Sequence, residues 1–527
     1  MRRHALFIGV FILIAAAWST LLALSQTHVH SDEAIIGLMG KHILEGRYFP
    51  FYMYGQPYNA GAAWEAYLAA IAFTLFGVGV ISLKGCIVAL SLLCLFLFYR
   101  MGYALYDERT AVLATVAFAL APSLLKWHFQ VRGYSWYFVS IPVLTMLSAS
   151  IESAPVPKQR MLFFFGLASG VSIWCLELAI PLVAALWMLL ILRGRLSLNN
   201  AAAGLAGFVV GYLPVIAYNL VHHFNNWRYL IIERPGGGFQ SLFHLSTYGR
   251  ILLNEMPKFF GPDTVLWYYS EKPASGYVFY TIAVLAVVVA MWPFVKSPSK
   301  MLQALRGNLA DRRQENDFDM LVLTAASLVP YLTVPPGVPS YFFGGCFFLS
   351  VLTGRMLERS FSYSKALPRL GGAAVLSAIS LTGIVVIVGV GQENQIETLS
   401  SCDEGKSYCM TRIPGADIEG VEHYLRQHKV TSVWTTISFV YPLLFESGET
   451  LAVSDAIFEY PHRVYPQEIP WHEPSRDRDA AFVIETDAAF RPLLEARYAQ
   501  AIGAAPLIRE YGKLTVITGH SQNSFFR

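Results

Sequence analysis

Apolar runs of membrane length alternate with short polar joints along most of this chain. Ala5–Leu24 comes first, preceded by Met1-Arg2-Arg3-His4. Further runs cover Ile81–Tyr99, Ala111–Leu125, Tyr134–Ile151, Met161–Leu192, Ala201–Leu220, Tyr277–Phe294, Leu321–Leu332, Tyr341–Leu357 and Ala373–Val390. Met161–Leu192 is long enough for two compact spans turning near Glu177. A helix needs about 20 apolar residues to cross a bilayer, so the pattern predicts an α-helical polytopic membrane protein of about eleven spans. Lys and Arg gather in alternate joints: Arg100 to Arg109, Lys158 with Arg160, Arg193 with Arg195, Lys296 to Arg313, and Arg359 with Lys365. Basic joints stay on the cytoplasmic side, which puts the remaining joints outside. Ala60–Phe76 is short and carries Glu65, and a crossing there would reverse every later loop. It therefore reads as a juxtamembrane or re-entrant helix on the outer face. The first run is long for a signal core and has no clear small-residue cleavage site, so it reads as a retained span.

Beyond Gln392 the pattern changes to alternating helix-like and strand-like segments. Ile418–His428, Pro442–Ser447 and Ala489–Ala499 read as helices, and Thr431–Ile437, Thr450–Val453 and Ala480–Thr486 as strands. Leu507–Ile517 reads as a hairpin or a pair of strands. The expected organisation is a transmembrane domain over 1–391, with a first outer loop at 27–80, and a small extracytoplasmic α/β domain over 392–527.

Composition agrees with that class. The chain has 527 residues, 55% hydrophobic and only 14% charged, which no soluble globule of this length matches. A net charge of +3 gives no reason to expect a nucleic-acid partner. Cys86, Cys94, Cys175 and Cys346 fall in apolar stretches and read as packing residues. Cys402 and Cys409 lie in a polar stretch where a local disulfide could form if that region is extracytoplasmic.

The topology then sorts the polar residues. Asp32, Glu33, Gln56, Tyr58, Glu65, the Lys126, His128, Arg132 and Tyr134 loop, and Glu177 all fall on the outer face. Two adjacent carboxylates at the outer end of a span are costly unless they face a polar cavity or bind something. Alternatively, Asp32-Glu33 caps the amphipathic helix that follows from Ile35 to Glu45, a helix expected to lie on the membrane surface. Glu177 sits at a turn, where a solvated acid is the simpler reading than a substrate contact. Arg132 stands among Trp127, Tyr134 and Trp136, which is also how an interfacial anchor looks. A carboxylate beside a lipid-facing cleft can take a proton from an acceptor, and nearby cations can hold a phosphate leaving group. Such a site suits a lipid phosphate.

Several local patterns carry a resemblance: Asp32-Glu33-Ala34, Ile43-Leu44-Glu45-Gly46, Tyr54-Gly55-Gln56-Pro57, Phe76-Gly77, Tyr106-Asp107-Glu108-Arg109, and Ala121-Pro122 ahead of Arg132-Gly133-Tyr134. Together they resemble the first third of the GT-C glycosyltransferases, in particular the family 39-like group of protein mannosyltransferases and aminoarabinose transferases. Gly211-Tyr212-Leu213-Pro214 with Asn219, and Met256-Pro257 with Gly261, fit later and looser motifs of that group. The resemblance implies an inverting transfer of a sugar from a polyprenyl-phosphate donor at the outer membrane face. It implies Asp32 as general base and Glu33 as its support, or as a partner in sharing a metal or proton. Arg132, with Lys126 or His128, would hold the donor phosphate, and Gln56, Tyr58, Glu65, Tyr134 and Glu177 would line the substrate site. One departure stands out: Gly55-Gln56-Pro57 occupies the place of a Glu-Lys-Pro in aminoarabinose transferases, which puts lipid A as acceptor, and that branch's metal, in doubt. A divalent metal is left open, and no other cofactor is implied. The expected location is the bacterial inner membrane, and the acceptor, whether glycan, lipid or protein, stays open. A lipid-linked glycan transporter or flippase, or a non-catalytic envelope-assembly protein, is the alternative. A transporter should show charges near the midplane and repeated broken helices, neither of which is visible.

Overall fold

The computed structural model describes residues 4–24, 29–233, 245–261, 274–333, 339–392, 395–400, 409–455, 465–469, 480–488, 490–502 and 505–518. The expected Cys402–Cys409 pairing and the Lys126 side chain lie outside the described residues. The helices are α1 (Ala5–Leu24), α2 (Ser31–Leu44), α3 (Ala60–Phe76), α4 (Val80–Leu105), α5 (Glu108–Ala119), α6 (Pro122–Leu125), α7 (Ser135–Ser153), α8 (Gln159–Cys175), α9 (Ile180–Leu192) and α10 (Leu198–Val221). After them come α11 (Asn225–Arg228), α12 (Leu245–Arg250), α13 (Met256–Phe259), α14 (Ala274–Lys296), α15 (Pro298–Leu305), α16 (Arg312–Thr333), α17 (Phe343–Ser362) and α18 (Ala366–Gln392). Among the described residues α1, α4, α10, α14 and α18 are long and apolar enough to cross a membrane, and α3 and α9 belong to shorter apolar helices. The stretch Met161–Leu192, expected to hold two compact spans, is covered by two helices, α8 and α9, joined by a single 3-10 turn at Glu177–Ala179.

The residues pack as two compact units that do not follow chain order. The first holds Met1–Thr20, Pro57–Gly61 and Ile87–Gly389; the second holds Leu21–Gln56, Ala62–Cys86 and Val390–Arg527. Most of the first outer loop therefore packs in one unit with the C-terminal region.

In the first unit α8 and α10 touch along glycines. A Cβ on Gly166 would collide with the Gly204 carbonyl oxygen, and one on Gly207 with that of Phe163. Small residues at this spacing let two helix backbones approach, which is how helices associate where lipid supplies no hydrophobic drive. One end of the same unit is fastened by buried ion pairs. Arg193, at the C-cap of α9, donates to Glu152 of α7 at 2.5 Å, to Asp319 of α16, and to the Ala304 carbonyl at 3.0 Å. Glu152 also accepts from Arg312 at 2.8 Å. Alongside, Asp317 accepts from the Tyr106 hydroxyl at 3.0 Å and from Arg359.

In the second unit the C-terminal stretch is the small α/β fold expected. It has helices α19 (Gly415–Gln427), α20 (Ile437–Glu446) and α21 (Arg491–Ile502), and strands β1 (Gln395–Ser400), β2 (Cys409–Pro414), β3 (Ser432–Thr435), β4 (Ala452–Asp455), β5 (Ala480–Glu485), β6 (Leu507–Tyr511) and β7 (Leu514–Thr518). Five strands form a sheet in the order β4-β3-β5-β7-β6, with β3 parallel to β4 and β5 and β7 antiparallel to β5 and β6. Trp434, Phe482, Ile484 and Ile517 form its core with Phe490 and Leu494 packed on it, so these strands read as apolar runs rather than alternations. The short β1–β2 ribbon stands separately.

Helix α2 corrects the surface-helix expectation. Its run from Glu33 to Gly40 is buried, along with His42. Gly37 lies under the Phe445 ring of α20, and Gly40 abuts Ala66 and Ala69 of α3. Its apolar side is covered by protein, because these two glycines leave room for a helix on each side.

Candidate active site

The Asp32-Glu33 pair opens α2, and the two acids do different work. His30 is the N-cap: its Nδ1 accepts from the Asp32 N–H at 3.3 Å, and its own N–H donates to Glu33 Oε2 at 2.9 Å. That reciprocal cap uses two donors that a helix start leaves over. Glu33 is 2% exposed, and the same oxygen lies 3.4 Å from Lys84 Nζ. The Ser31 hydroxyl donates to the Ser438 carbonyl at 2.9 Å, pinning the start of α2 to the start of α20. The capping reading thus holds for Glu33. Asp32, one position earlier, is half-buried in the first turn of the helix. In the same unit Glu65 is fully buried on α3, and Gln56 is half-buried with its N–H donating to the Met53 carbonyl at 3.1 Å.

The first unit holds the other expected residues. Arg132 is 5% exposed, with its guanidinium 5.8 Å from the Trp127 ring centroid and its carbonyl accepting from Asn59 Nδ2 at 3.4 Å. Gly61 approaches the next residue so closely that a Cβ there would collide with the Gly133 carbonyl oxygen. Tyr134 packs edge-on to Trp127 and Phe343. Tyr58 stacks on Tyr229 at 4.9 Å, and the Pro57 carbonyl beside it accepts from Asn226 Nδ2 at 2.6 Å. Glu177 is half-buried at its 3-10 turn. The role expected for His128 as a phosphate-holding cation is corrected: its ring is fully buried, stacked on Trp18 at 4.2 Å and edge-on to Phe118. An imidazolium in that aromatic cage would be a buried charge without compensation.

Two residues that the sequence reading left out matter here. Lys84, in the first turns of α4, is the cation beside the acid pair; a lysine interrupting an apolar run directly after an acidic loop is the signal that points to it. Glu449 gathers Lys41 at 2.6 Å, His42 at 3.0 Å, Arg47 at 3.1 Å and the Tyr465 hydroxyl at 3.1 Å. Burial alone would raise the Glu449 pKa, but hydrogen bonds from His42 and Lys41 outweigh it and hold the carboxyl down to about 2. No local motif marks Glu449, because its cationic and histidine partners lie some four hundred residues away in the chain. Among the described residues no group of three or more His, Cys, Asp or Glu gathers as a metal-ligand set.

No protein-family model and no curated protein sequence matches the chain. Solved structures do. ArnT from Cupriavidus metallidurans, bound to undecaprenyl phosphate, is similar over 97% of this chain and 97% of its own, with a TM-score of 0.56 at 14% identity. The fold is that of the GT-C membrane glycosyltransferases. The archaeal oligosaccharyltransferase AglB from Archaeoglobus fulgidus, in complex with an inhibitory peptide and a dolichol-phosphate, shares it. There the TM-score is 0.50 at 10% identity, over 85% of this chain and 64% of AglB. The GT-C likeness therefore reaches the C-terminal end of the chain as well as its apolar helices.

Proposed function

We propose that this protein is an inverting glycosyltransferase of the bacterial inner membrane, moving one sugar from a polyprenyl phosphate to an acceptor hydroxyl at the outer face. The observation that carries the reading is the acid pair at the start of α2 with a cation beside it: Asp32 and Glu33 open the helix, and Lys84 lies 3.4 Å from Glu33. In the reaction Asp32 accepts the proton of the acceptor O–H as the oxygen bonds to the anomeric carbon. The bond from that carbon to the phosphate oxygen breaks with its electron pair, and the polyprenyl phosphate leaves as an anion. Lys84 is the cation proposed to meet that charge, and a charge-assisted contact is the stronger kind of hydrogen bond. A GT-C fold supports the reading, as does the polyprenyl carrier bound by the ArnT of similar fold.

The test uses purified protein in liposomes, a panel of polyprenyl-phosphate sugars, and a membrane extract as acceptor. Released polyprenyl phosphate is followed for wild type and Asp32→Asn. General-base catalysis is worth about 10²–10⁴-fold, and a fall of that size with donor binding retained is the expected result. Equal turnover in the two proteins would sink Asp32 as the base.

A further inference from the structure

A cavity of about 540 Å³ opens in the C-terminal α/β region where α19 and α20 end, lined by Glu422, Arg426, Lys429, Leu443, Glu446 and Thr450 among others. Its size lies within the roughly 300–1,000 Å³ usual for small-ligand pockets. Both helices present their C-terminal ends there, with caps at His428 and Ser447. That is the negative end of the helix dipole, the opposite of the N-terminal cradle that phosphates and nucleotides use. The strands tell the same story. The cavity lies at the N-terminal ends of the parallel strands β3 and β4, whereas doubly wound sheets bind cofactors at the carboxyl ends.

The side chains balance in charge, two acids against two bases. Arg426 lies 3.5 Å from Glu422, and the Glu446 carboxyl is hydrogen-bonded to Glu422. Two carboxyl groups in that contact share a proton, so the pair offers one donor and several acceptors. A sugar hydroxyl, which both donates and accepts, can meet the acceptors of the carboxyl pair and the donors of Arg426 and Lys429, whereas a fully ionised phosphate could use only the donors. Leu425, Leu443 and Leu451 supply an apolar wall for the C–H face of a ring. The cavity also reaches the catalytic loop. The Glu446 carboxyl accepts from the Val29 N–H and feels the charge of Lys84, the lysine that lies against Glu33. Burial pushes the Glu446 pKa up against those contacts, which keeps a proton available to the pair.

We propose that this cavity holds the acceptor of the transferase and that it takes a neutral, hydroxyl-rich sugar unit. The inference rests on the transferase reading and deepens it. The test is saturation-transfer NMR on the full chain in detergent, with chitobiose, cellobiose and maltotriose as probes. Pyrophosphate and a Ser/Thr-rich decapeptide serve as controls. Saturable binding of at least one saccharide is expected. It should weaken about ten-fold or more in Glu422→Gln with Glu446→Gln, and in Thr450→Trp, which fills the cavity from an exposed position. The double glutamine variant keeps shape and volume, so it decides the matter if the tryptophan variant does not fold. No saccharide binding, binding indifferent to the cavity variants, or binding of pyrophosphate or the peptide alone overturns the proposal. Binding is read apart from turnover. Absence of donor release by the wild type with every donor sinks the transferase reading, and failure of cavity binding sinks only this one.

Discussion

Two charged regions of this molecule use the same residue types to opposite ends. In the first unit Arg193 is 2% exposed in its side chain, and both its terminal nitrogens are committed to carboxylates on α7 and α16. In the second unit Asp32 stands half-buried at a helix start, beside an acid already tied to its cap and to Lys84. Buried charges with committed partners fasten helices, and removing one partner leaves a stranded charge that costs several kcal/mol. A carboxylate that takes up a proton during a reaction must keep a face open to the reactant. The contrast separates acids that hold the bundle from the acid proposed as the base, which composition cannot do.

The comparison can be broken first at its reactive side. Asp32→Asn should lower donor turnover about 10²–10⁴-fold while thermal unfolding in detergent moves little. A large loss of stability instead would put Asp32 among the fasteners. Arg193→Met should do the reverse. It takes Arg193 from Asp319, leaves Glu152 with Arg312, and should cost about 3–5 kcal/mol, read from the detergent melting curve. Lys84→Met sharpens the reactive side: loss of a charge-assisted contact is worth about 1.5–3 kcal/mol, so donor KM or kcat should worsen roughly 10- to 100-fold. If only stability falls, Lys84 serves Glu33 alone.

The smallest effect tests a case between the two. Glu449 has a carboxyl pKa of about 2 in the fold against an ordinary 4.5. A group whose pKa is depressed on folding contributes stability that is complete above its unfolded pKa and is lost as the pH falls through the folded one. The second unit should therefore loosen as the pH drops from about 4.5 to about 2, read as faster hydrogen exchange along α2. Glu449→Gln should cost about 1–3 kcal/mol at neutral pH and remove that pH dependence. An unchanged profile in the variant would show that Glu449 does not couple α2 to the C-terminal sheet.

Where local pattern decides an outcome, it was readable. The elements expected past Gln392 match α19, β3, α20, β4, β5, α21 and the β6–β7 hairpin, because apolar periods and turn residues act over a few positions. The apolar runs likewise announced the helices of the first unit. The capping option for Asp32-Glu33 could be read from acids at a helix start, yet assigning the cap to Glu33 needed the His30 and Lys84 contacts. The misreadings of α2 and His128 share one cause. An amphipathic stripe says that one side wants cover without saying whether lipid or protein provides it, and a loop histidine does not reveal Trp18 waiting above it.

By itself, then, the sequence determined the helical membrane class, the appended α/β region and the acid pair, because hydrophobic period, basic joints and helix-start chemistry are local. Tertiary structure alone decided that Glu33 is tied to the cap and to Lys84. It also buried α2 under α20, gathered Lys41, His42 and Arg47 on Glu449, and set the Glu422–Glu446 cavity beside Val29. Those outcomes depend on contacts between residues hundreds of positions apart, where burial and pairing fix the energy of a charge and the residue type alone does not.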